Sequence, residues 1–228
     1  MDRHLTRRSL LRLAGVAAAA VGADALKGGW FTDEAAAGPA AVASGAVSCV
    51  LAPEQTEGPY YIANEKVRRN ITEGRPGRPL TLRLAVVDAS TCKPIKGAAV
   101  DVWHCDASGN YSGVDGDDGT FMRGVQRTNA QGIATFRTVY PGWYQGRTVH
   151  IHVKVHVRGN VVHTGQLYFP DRVTDAVYRK SPYSGRSNRD VRNAADAIYR
   201  NGGKRSLLGL RRSGAGYIGT IRMGVHRS

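Results

Sequence analysis

The sequence has few cysteines, few histidines and no detectable internal repeat. Three cysteines in 228 residues allow one intramolecular disulfide and leave one thiol over. The absence of a repeat of roughly 20–50 residues excludes solenoid and propeller architectures. The apolar stretch from Leu13 to Ala23 is too short to span a bilayer comfortably. What remains is a chain of the right length for one catalytic-size domain preceded by a leader.

Acidic residues are also scarce, since 18 Asp and Glu stand against 32 Lys and Arg and give a formal net charge of +14. Such a balance is typical of nucleic-acid-binding proteins. Here the basic residues are spread along the chain, and no recognised nucleic-acid motif accompanies them. We therefore expect no nucleic-acid partner and interpret the charge as a basic surface that attracts anionic molecules.

The N-terminus has the pattern of a leader. Arg7 and Arg8 precede a small-residue apolar stretch, which resembles a twin-arginine export signal. We assign residues 1–26 to this cleavable signal and residues 27–48, rich in Ala and Gly, to a linker or the remainder of the leader. Residues 49–228 form the predicted folded domain. The protein is then expected to be exported folded and secreted, with no membrane association once the leader is removed.

The three cysteines fit an oxidising destination, in which a disulfide is stable. Cys105 lies in the strand-like "VDVWHCD" and has the character of an ordinary buried small residue. Cys49 and Cys92 both lie near the ends of segments. We predict a Cys49–Cys92 disulfide.

The 28 glycines and nine prolines favour a turn-rich β protein over a helical bundle. Alternating apolar residues predict strands near 80–88, 98–105 and 132–140. Two further strands, "TVHIHVKVHV" and "VVHTGQLYF", are joined by "RGN" as a hairpin turn, and "SLLGLRR" and "GYIGTIRMGV" supply the last two. "VTDAVYRK" and "RDVRNAADAIYR" predict short helices. The predicted fold class is all-β, a β-sandwich core with short helices and long loops.

One strand concentrates the histidines. His150, His152 and His156 alternate in a single β-rich run, and residues i and i+2 of a strand point to the same face. His150 and His152 are therefore expected to lie side by side, close enough to bind one metal ion. Ile151 and Val153 should point the other way, into apolar packing. The pattern predicts a metal site built on a rigid strand.

Five ordered motifs resemble those of the intradiol ring-cleavage dioxygenases. They are "EQTEGPYY" (54–61), "GAAVDVWHCDASGNYSG" (97–113), "YPGWY" (140–144), "GRTVHIH" (146–152) and "GQLYF" (165–169). Each motif alone is weak, but together they span most of the predicted domain in a fixed order. The chain is most similar to the small, secreted branch of that family.

The resemblance implies a set of metal ligands. The tyrosine of "GNYSG" gives Tyr111 as the retained ligand, and the tyrosine of "PGWY" gives Tyr144 as the ligand that substrate displaces. The two histidines of "HIH" give His150 and His152. Tyr140 stays open as an alternative to Tyr144, because the spacing from Tyr144 to the first histidine is shorter than in better-known relatives.

The resemblance also implies residues around the substrate. Arg147, three positions before the first histidine, would contact the substrate and stabilise negative charge on it. Gln166 of "GQLY" would hold Arg147 in place. Pro59 and Tyr60 would line the pocket, and Tyr144 would take part in catalysis as a base once it is displaced.

The expected cofactor is one Fe³⁺ per chain. A tyrosine normally has a pKa near 10 and is protonated, so only a strongly Lewis-acidic cation makes it a phenolate ligand. Two phenolates and one hydroxide would neutralise the three charges of ferric iron, which matters in a site of low polarity.

The implied activity is cleavage of a small aromatic diol by O₂ between the two hydroxyl-bearing carbons, which yields a cis,cis-muconate-type diacid. The alternative is a secreted β-sandwich module that binds carbohydrate or cell wall and in which metal binding is incidental. The chain is expected to be a monomer or a homodimer.

Overall fold

The computed structural model describes residues 49, 51–114 and 116–226, which form two four-stranded β-sheets. The strands, in chain order, are β1 (Pro79–Asp88), β2 (Ala99–Trp103), β3 (Arg123–Arg127), β4 (Ile133–Val139), β5 (His150–Val157), β6 (Asn160–Tyr168), β7 (Gly209–Ser213) and β8 (Gly216–Val225). The leader and linker predicted for residues 1–48 lie outside the described residues. Their boundaries stay predictions.

The helices are short, as the sequence predicts. α1 spans Asp171–Tyr178 and α2 spans Ala197–Arg200, and single 3₁₀ turns occupy Tyr183–Arg186, Asn193–Ala195 and Gly203–Ser206. Two packed sheets with these few helices confirm the predicted all-β sandwich. In the part of the chain that the structure describes, no helix is long and apolar enough to cross a membrane.

The two sheets differ in the direction of their strands. The first sheet has the order β4-β1-β8-β7, and β1 and β8 pair in parallel although they are far apart in sequence. The second sheet has the order β3-β2-β5-β6, and all of its neighbours are antiparallel. The second sheet therefore places β5 between two partners, β2 and β6, which fix its register from both sides.

The core lies between the sheets and follows from side-chain alternation along the strands. Leu82 and Leu84 of β1 pack in one apolar cluster with Ile151, Val153 and Val155 of β5, and all five are fully buried. The prediction that the odd-numbered residues of β5 enter apolar packing is confirmed. The even-numbered residues of β5 consequently face the outer side of the second sheet.

An N-terminal segment of the domain is bonded to the second sheet. The amide of Gln55 donates to the carbonyl of Thr164 on β6 at 2.9 Å, and the carbonyl of Lys66 accepts from Val125 on β3 at 3.0 Å. The segment between these two contacts contains the predicted pocket residues Pro59 and Tyr60. The sandwich thus holds a loop against the side of the sheet where the histidines point.

All seven predicted strands are present, and the structure adds one that was not predicted. β3 was not predicted, because "RGVQR" is short and polar and lacks a clear apolar alternation. Two strands are shorter than predicted: β2 begins one residue later and stops at Trp103, before Cys105, and β4 begins one residue later and ends one residue earlier. The β5–β6 hairpin turns at Arg158 and Gly159, whose φ angles of 53° and 88° suit a two-residue turn.

Cys49 and Cys92 form a disulfide in the structure, with their Cα atoms 5.6 Å apart. Both cysteines pack against Val87 in a small cluster at the end of β1. Cys105 is a free, buried thiol. The disulfide ties the start of the domain to the turn after β1.

Removing the disulfide should destabilise the domain. The bond closes a loop of 43 residues, so the Cys49→Ser/Cys92→Ser double variant is expected to lose about 2–4 kcal/mol of unfolding free energy. Urea denaturation of the two proteins measures the difference. A variant with the unfolding midpoint of the parent would contradict a structural role for this bond.

Candidate metal centre

Two buried imidazoles on β5 form the centre of the site. The Nε2 atoms of His150 and His152 lie 3.1 Å apart, and both side chains are almost completely buried. The Nδ1 atom of His150 lies 2.7 Å from the carbonyl oxygen of Thr148, which can only accept, so Nδ1 carries the proton. The Nε2 atom of His150 is then the unprotonated nitrogen and directs its lone pair toward the site, as in a typical metal-binding histidine.

Both histidines are held in the neutral form. Burial, helped by the positive charge of Arg147, lowers the pKa of His150 to about 3. Burial and the neighbouring His150 lower the pKa of His152 well below its ordinary value. Neutral imidazole is the form that binds metals.

The spacing of the two nitrogens fits a shared ion. Two nitrogens bound to one ion at about 2.1 Å lie about 3 Å apart when the angle between the bonds is roughly 90°. Within the described residues, no group of three or more His, Cys, Asp or Glu side chains is placed to hold a metal ion. The two imidazoles therefore need ligands of another kind to complete a site.

Tyr144 and Tyr111 supply such ligands. The hydroxyl of Tyr144 lies 3.0 Å from the Nε2 atom of His150. The ring of Tyr111 lies 5.7 Å from that of Tyr144 and 6.4 Å from that of His152. The Tyr111 hydroxyl is buried and lacks a hydrogen-bond partner of ordinary geometry in the described part of the chain. This buried, unpartnered hydroxyl, on a ring close to the two Nε2 atoms that face each other, fits an ion that would bind all four groups.

The protein alone would keep both tyrosines protonated. Burial raises the pKa of Tyr144 to about 12 and that of Tyr111 well above its ordinary value. Only a cation of high charge density would turn these hydroxyls into phenolates. The donor set thus fits the ferric ion expected from the sequence.

The loop after β2 places Tyr111, and the loop before β5 places Tyr144. The carboxylate of Asp106 accepts from the amides of Ser108 at 2.8 Å and Asn110 at 3.0 Å, which closes the turn that precedes Tyr111. The carbonyl of Asp106 accepts from the amide of Gly142 at 2.8 Å, close to Tyr144. The two loops are therefore bonded to each other at Asp106.

Arg147 lies beside the histidines within a network of its own. Its Nη2 atom donates to Gln166 Oε1 at 2.5 Å and its Nε atom donates to Asp196 Oδ2 at 2.8 Å. Its Nη1 atom lies 3.5 Å from the Nε2 atom of His150. Gln166 is in turn fixed by the carbonyl of Thr56, which accepts from its Nε2 atom at 3.0 Å. The predicted pair Arg147–Gln166 is brought together next to the ligands.

Asp196 was missed by the sequence analysis. Its carboxylate is fully buried and also accepts from the amides of Thr148 at 2.9 Å and Tyr199 at 2.8 Å, the latter as the N-cap of α2. Burial raises the pKa of Asp196, but the hydrogen bonds from Arg147 and these amides outweigh it and lower the pKa below its ordinary value. The only sequence signal was an aspartate ahead of the helical "AIYR", which predicts a cap rather than a site residue.

The two predicted pocket residues differ in their positions. The ring of Tyr60 stacks on that of Tyr111 at 4.5 Å and lines a cavity of about 290 Å³ together with Tyr111 and Tyr144. Pro59 is exposed and is not among the residues that line this cavity. A substrate contact of Pro59 stays a prediction, whereas Tyr60 covers the candidate ligands directly.

Two further neighbours of His152 were not singled out from the sequence. The indole of Trp103 stacks on the His152 ring at 4.9 Å with an interplanar angle of 9°. Gly58, with φ +74°, approaches His152 so closely that an added Cβ would lie 3.2 Å from its ring. A side chain at position 58 would be strained and would press on the ligand.

Tyr140, the alternative ligand, lies in the core. It is completely buried, and its hydroxyl is hydrogen-bonded to Thr174 at 2.7 Å. Its ring packs against Phe169 at 4.4 Å. This placement favours Tyr144, which contacts His150, over Tyr140.

The comparison with known proteins identifies the family. The sequence model of the family described as "Dioxygenase" matches residues 56–181. The chain belongs to the intradiol ring-cleavage dioxygenase family. An intradiol ring-cleavage dioxygenase from Tetranychus urticae is 39% identical, with a TM-score of 0.75 over 78% of this chain and 95% of that chain. The dioxygenase domain of a dioxygenase carbohydrate-binding protein fusion from Streptomyces sp. SirexAA-E is 35% identical, with a TM-score of 0.62 over 78% and 99% of the two chains.

Curated members of the family match over a shorter region. Catechol 1,2-dioxygenase 2 of Acinetobacter lwoffii is 37% identical over 105 residues, which are 42% of this chain and 38% of that protein. Chlorocatechol 1,2-dioxygenase of Pseudomonas sp. (strain P51) is 32% identical over 135 residues, or 50% of this chain and 53% of that protein. The match therefore spans about a third to a half of the length of these relatives.

Exchanging each tyrosine should separate the two ligand assignments. Tyr144→Phe is expected to weaken and shift the visible absorption of the ferric-loaded protein, because one phenolate is lost. Tyr140→Phe should leave the absorption unchanged and lower the free energy of unfolding by about 1 kcal/mol, since only the bond to Thr174 is removed. The reverse pattern would assign the second ligand to Tyr140.

Proposed function

We propose that this member of the intradiol family is an exported, non-haem ferric dioxygenase that cleaves catechol-type rings. The bond that breaks joins the two hydroxyl-bearing carbons, and the product is a cis,cis-muconate-type diacid that contains both atoms of O₂. The observation that carries the proposal is the convergence of two neutral imidazole nitrogens, 3.1 Å apart, with the hydroxyl of Tyr144 and the ring of Tyr111 beside them. Ferric iron, when bound there, would hold the diol and draw electron density from the ring.

The two tyrosines are suited to different roles. Tyr111 is buried beneath the stacked ring of Tyr60, with the guanidinium of Arg123 5.9 Å from its centroid. Tyr144 is half-buried in a loop, and its hydroxyl is bonded to His150. Once a bound cation has made it a phenolate, Tyr144 could therefore move away and take a proton from a substrate hydroxyl, which would return it to a neutral phenol while Tyr111 stays in place.

Arg147 is positioned to stabilise negative charge that develops on a ring oxygen. Gln166 and Asp196 hold its guanidinium from two sides, so that little reorganisation is needed during the reaction. Its Nη1 atom already lies next to His150. Tyr60, which covers the site, would exclude water from the bound ring.

The mouth of the cavity favours an uncharged ring. Arg75 lines the cavity, and its guanidinium lies 3.6 Å from the carboxylates of both Asp106 and Asp117. Its positive charge is thus already balanced and is not free for a substrate carboxylate. We expect catechol to be cleaved faster than protocatechuate, although the chain as a whole is basic.

Export rests on the twin-arginine-like leader at residues 1–26 and on the Cys49–Cys92 disulfide, which suits an oxidising compartment. That export route carries folded proteins, so iron would be inserted before the protein leaves the cell.

Oxygen consumption with catechol and protocatechuate tests the activity. The iron-loaded protein is expected to be coloured by phenolate-to-iron charge transfer, to consume one O₂ per catechol and to form a muconate-type diacid. Chelation of the iron should remove the colour and the activity together. A colourless, inactive protein that binds polysaccharide would favour the binding module, and yellow semialdehyde products would contradict cleavage between the hydroxyl-bearing carbons.

Replacing Arg147 separates charge stabilisation from metal binding. Arg147→Ala is expected to lower kcat on the order of 10²-fold, as the loss of one such donor does, while the visible absorption of the iron is retained. Asp196→Asn should lower kcat less, because Gln166 still holds the guanidinium. Arg200→Gln, an exposed change on α2, is the matched control. A fully active Arg147→Ala enzyme would remove Arg147 from the mechanism.

A further inference from the structure

A second and larger cavity lies on the same side of the second sheet as the metal centre. Its volume is about 660 Å³, within the usual range for small-molecule sites. None of the four candidate metal ligands lines it. Asp101 of β2 does, and it lies two residues, or about 7 Å, along the strand from Trp103, which stacks on His152.

Asp101 is an unusual residue for such a place. It is 2% exposed, and its Oδ1 atom has no hydrogen-bond partner in the described residues. A buried carboxylate oxygen without a partner costs stability, so a hydrogen-bond donor is expected to complete it. Burial is the main reason that the pKa of Asp101 is raised to about 6, and the nearby Glu65 adds to the effect.

The neighbouring cation does not complete Asp101. Lys154 is the residue opposite Asp101 on β5, but its ammonium forms an ion pair with Glu57 and lies 3.6 Å from the centroid of the Tyr61 ring. The nearby hydroxyl of Tyr61 lowers the pKa of Asp101 yet leaves the Oδ1 atom unpaired. Asp101 lines the cavity, so a ligand bound there is the candidate for the missing donor.

The rim of the cavity is basic, in contrast to the acidic Asp101. Lys96, Arg127 and Arg158 line it with exposed side chains, and none of the three forms an ion pair with another described residue. Asp101 is the one carboxylate among the lining residues. The ring of Tyr61 forms part of the wall. A ligand that fits these groups carries an anionic group for the rim, a hydroxyl for the floor and an apolar body for the wall.

We propose that this cavity binds a small hydroxylated aromatic carboxylate, whose hydroxyl donates to Asp101 and whose carboxylate contacts the cations Lys96 and Arg127. The site is distinct from the metal centre, but aromatic rings between them are packed against each other. The Tyr61 ring lies 4.8 Å from that of Trp103, and Tyr60, the next residue, stacks on Tyr111. Occupancy of the cavity can therefore be sensed at the ligands of the metal.

Isothermal titration with 4-hydroxybenzoate tests the site, because this probe has the required hydroxyl and carboxylate. The iron-loaded protein is titrated without oxygen, before and after saturation of the metal centre with catechol. We expect one binding event that persists in the presence of catechol. Lys96→Gln/Arg127→Gln should weaken it by at least about 10-fold, because two charge-assisted bonds are lost. Arg172→Gln/Lys204→Gln, which removes the same charge from exposed positions elsewhere, should not.

A comparison of probes tests the role of Asp101. The parent protein is expected to bind 4-hydroxybenzoate more tightly than benzoate, which lacks the hydroxyl, and Asp101→Leu should abolish the preference. If the leucine variant does not fold, the preference of the parent protein for 4-hydroxybenzoate over benzoate still shows whether the site recognises the hydroxyl. Binding that disappears with catechol, equal effects of the two double variants, or equal binding of the two probes would overturn the proposal and leave water as the partner of Asp101.

Discussion

The alternation of side chains along β5 is the constraint on which the rest of the structure depends. Because Ile151, Val153 and Val155 are fully buried between the sheets, His150 and His152 have to share the outer face. The register with β2 and β6 on either side prevents a slip of one residue, which would exchange the two sets. The geometry of the candidate metal centre is therefore stabilised by the core of the whole sandwich.

The groups around the two histidines follow from that placement. Gln166 lies opposite His152 in the β5–β6 ladder, so the sheet itself brings it to Arg147. Asp196 adds the second anchor of Arg147 and joins the C-terminal helical region to the strand that carries the ligands. The position of Arg147 is thus a property of sheet register and of one buried ion pair.

The positions of the strand residues could be predicted from the sequence more completely than those of the loop residues. The period of two placed His150, His152 and the apolar residues between them, because strand geometry acts over adjacent positions. This local pattern gives no position for Asp196, because Asp196 and Arg147 are 49 positions apart in the sequence. The choice between Tyr140 and Tyr144 also needed the structure, since both lie in one irregular segment. β3 was missed because its pairing with β2, and not its own polar sequence, makes it a strand.

X-ray absorption at the iron edge of the ferric-loaded protein tests whether His150 and His152 bind one ion together with two tyrosines. We expect one iron per chain with the scattering of two imidazoles and additional oxygen ligands, and the loss of one imidazole in His152→Ala. An iron site without imidazole scattering, or one unchanged by His152→Ala, would contradict it.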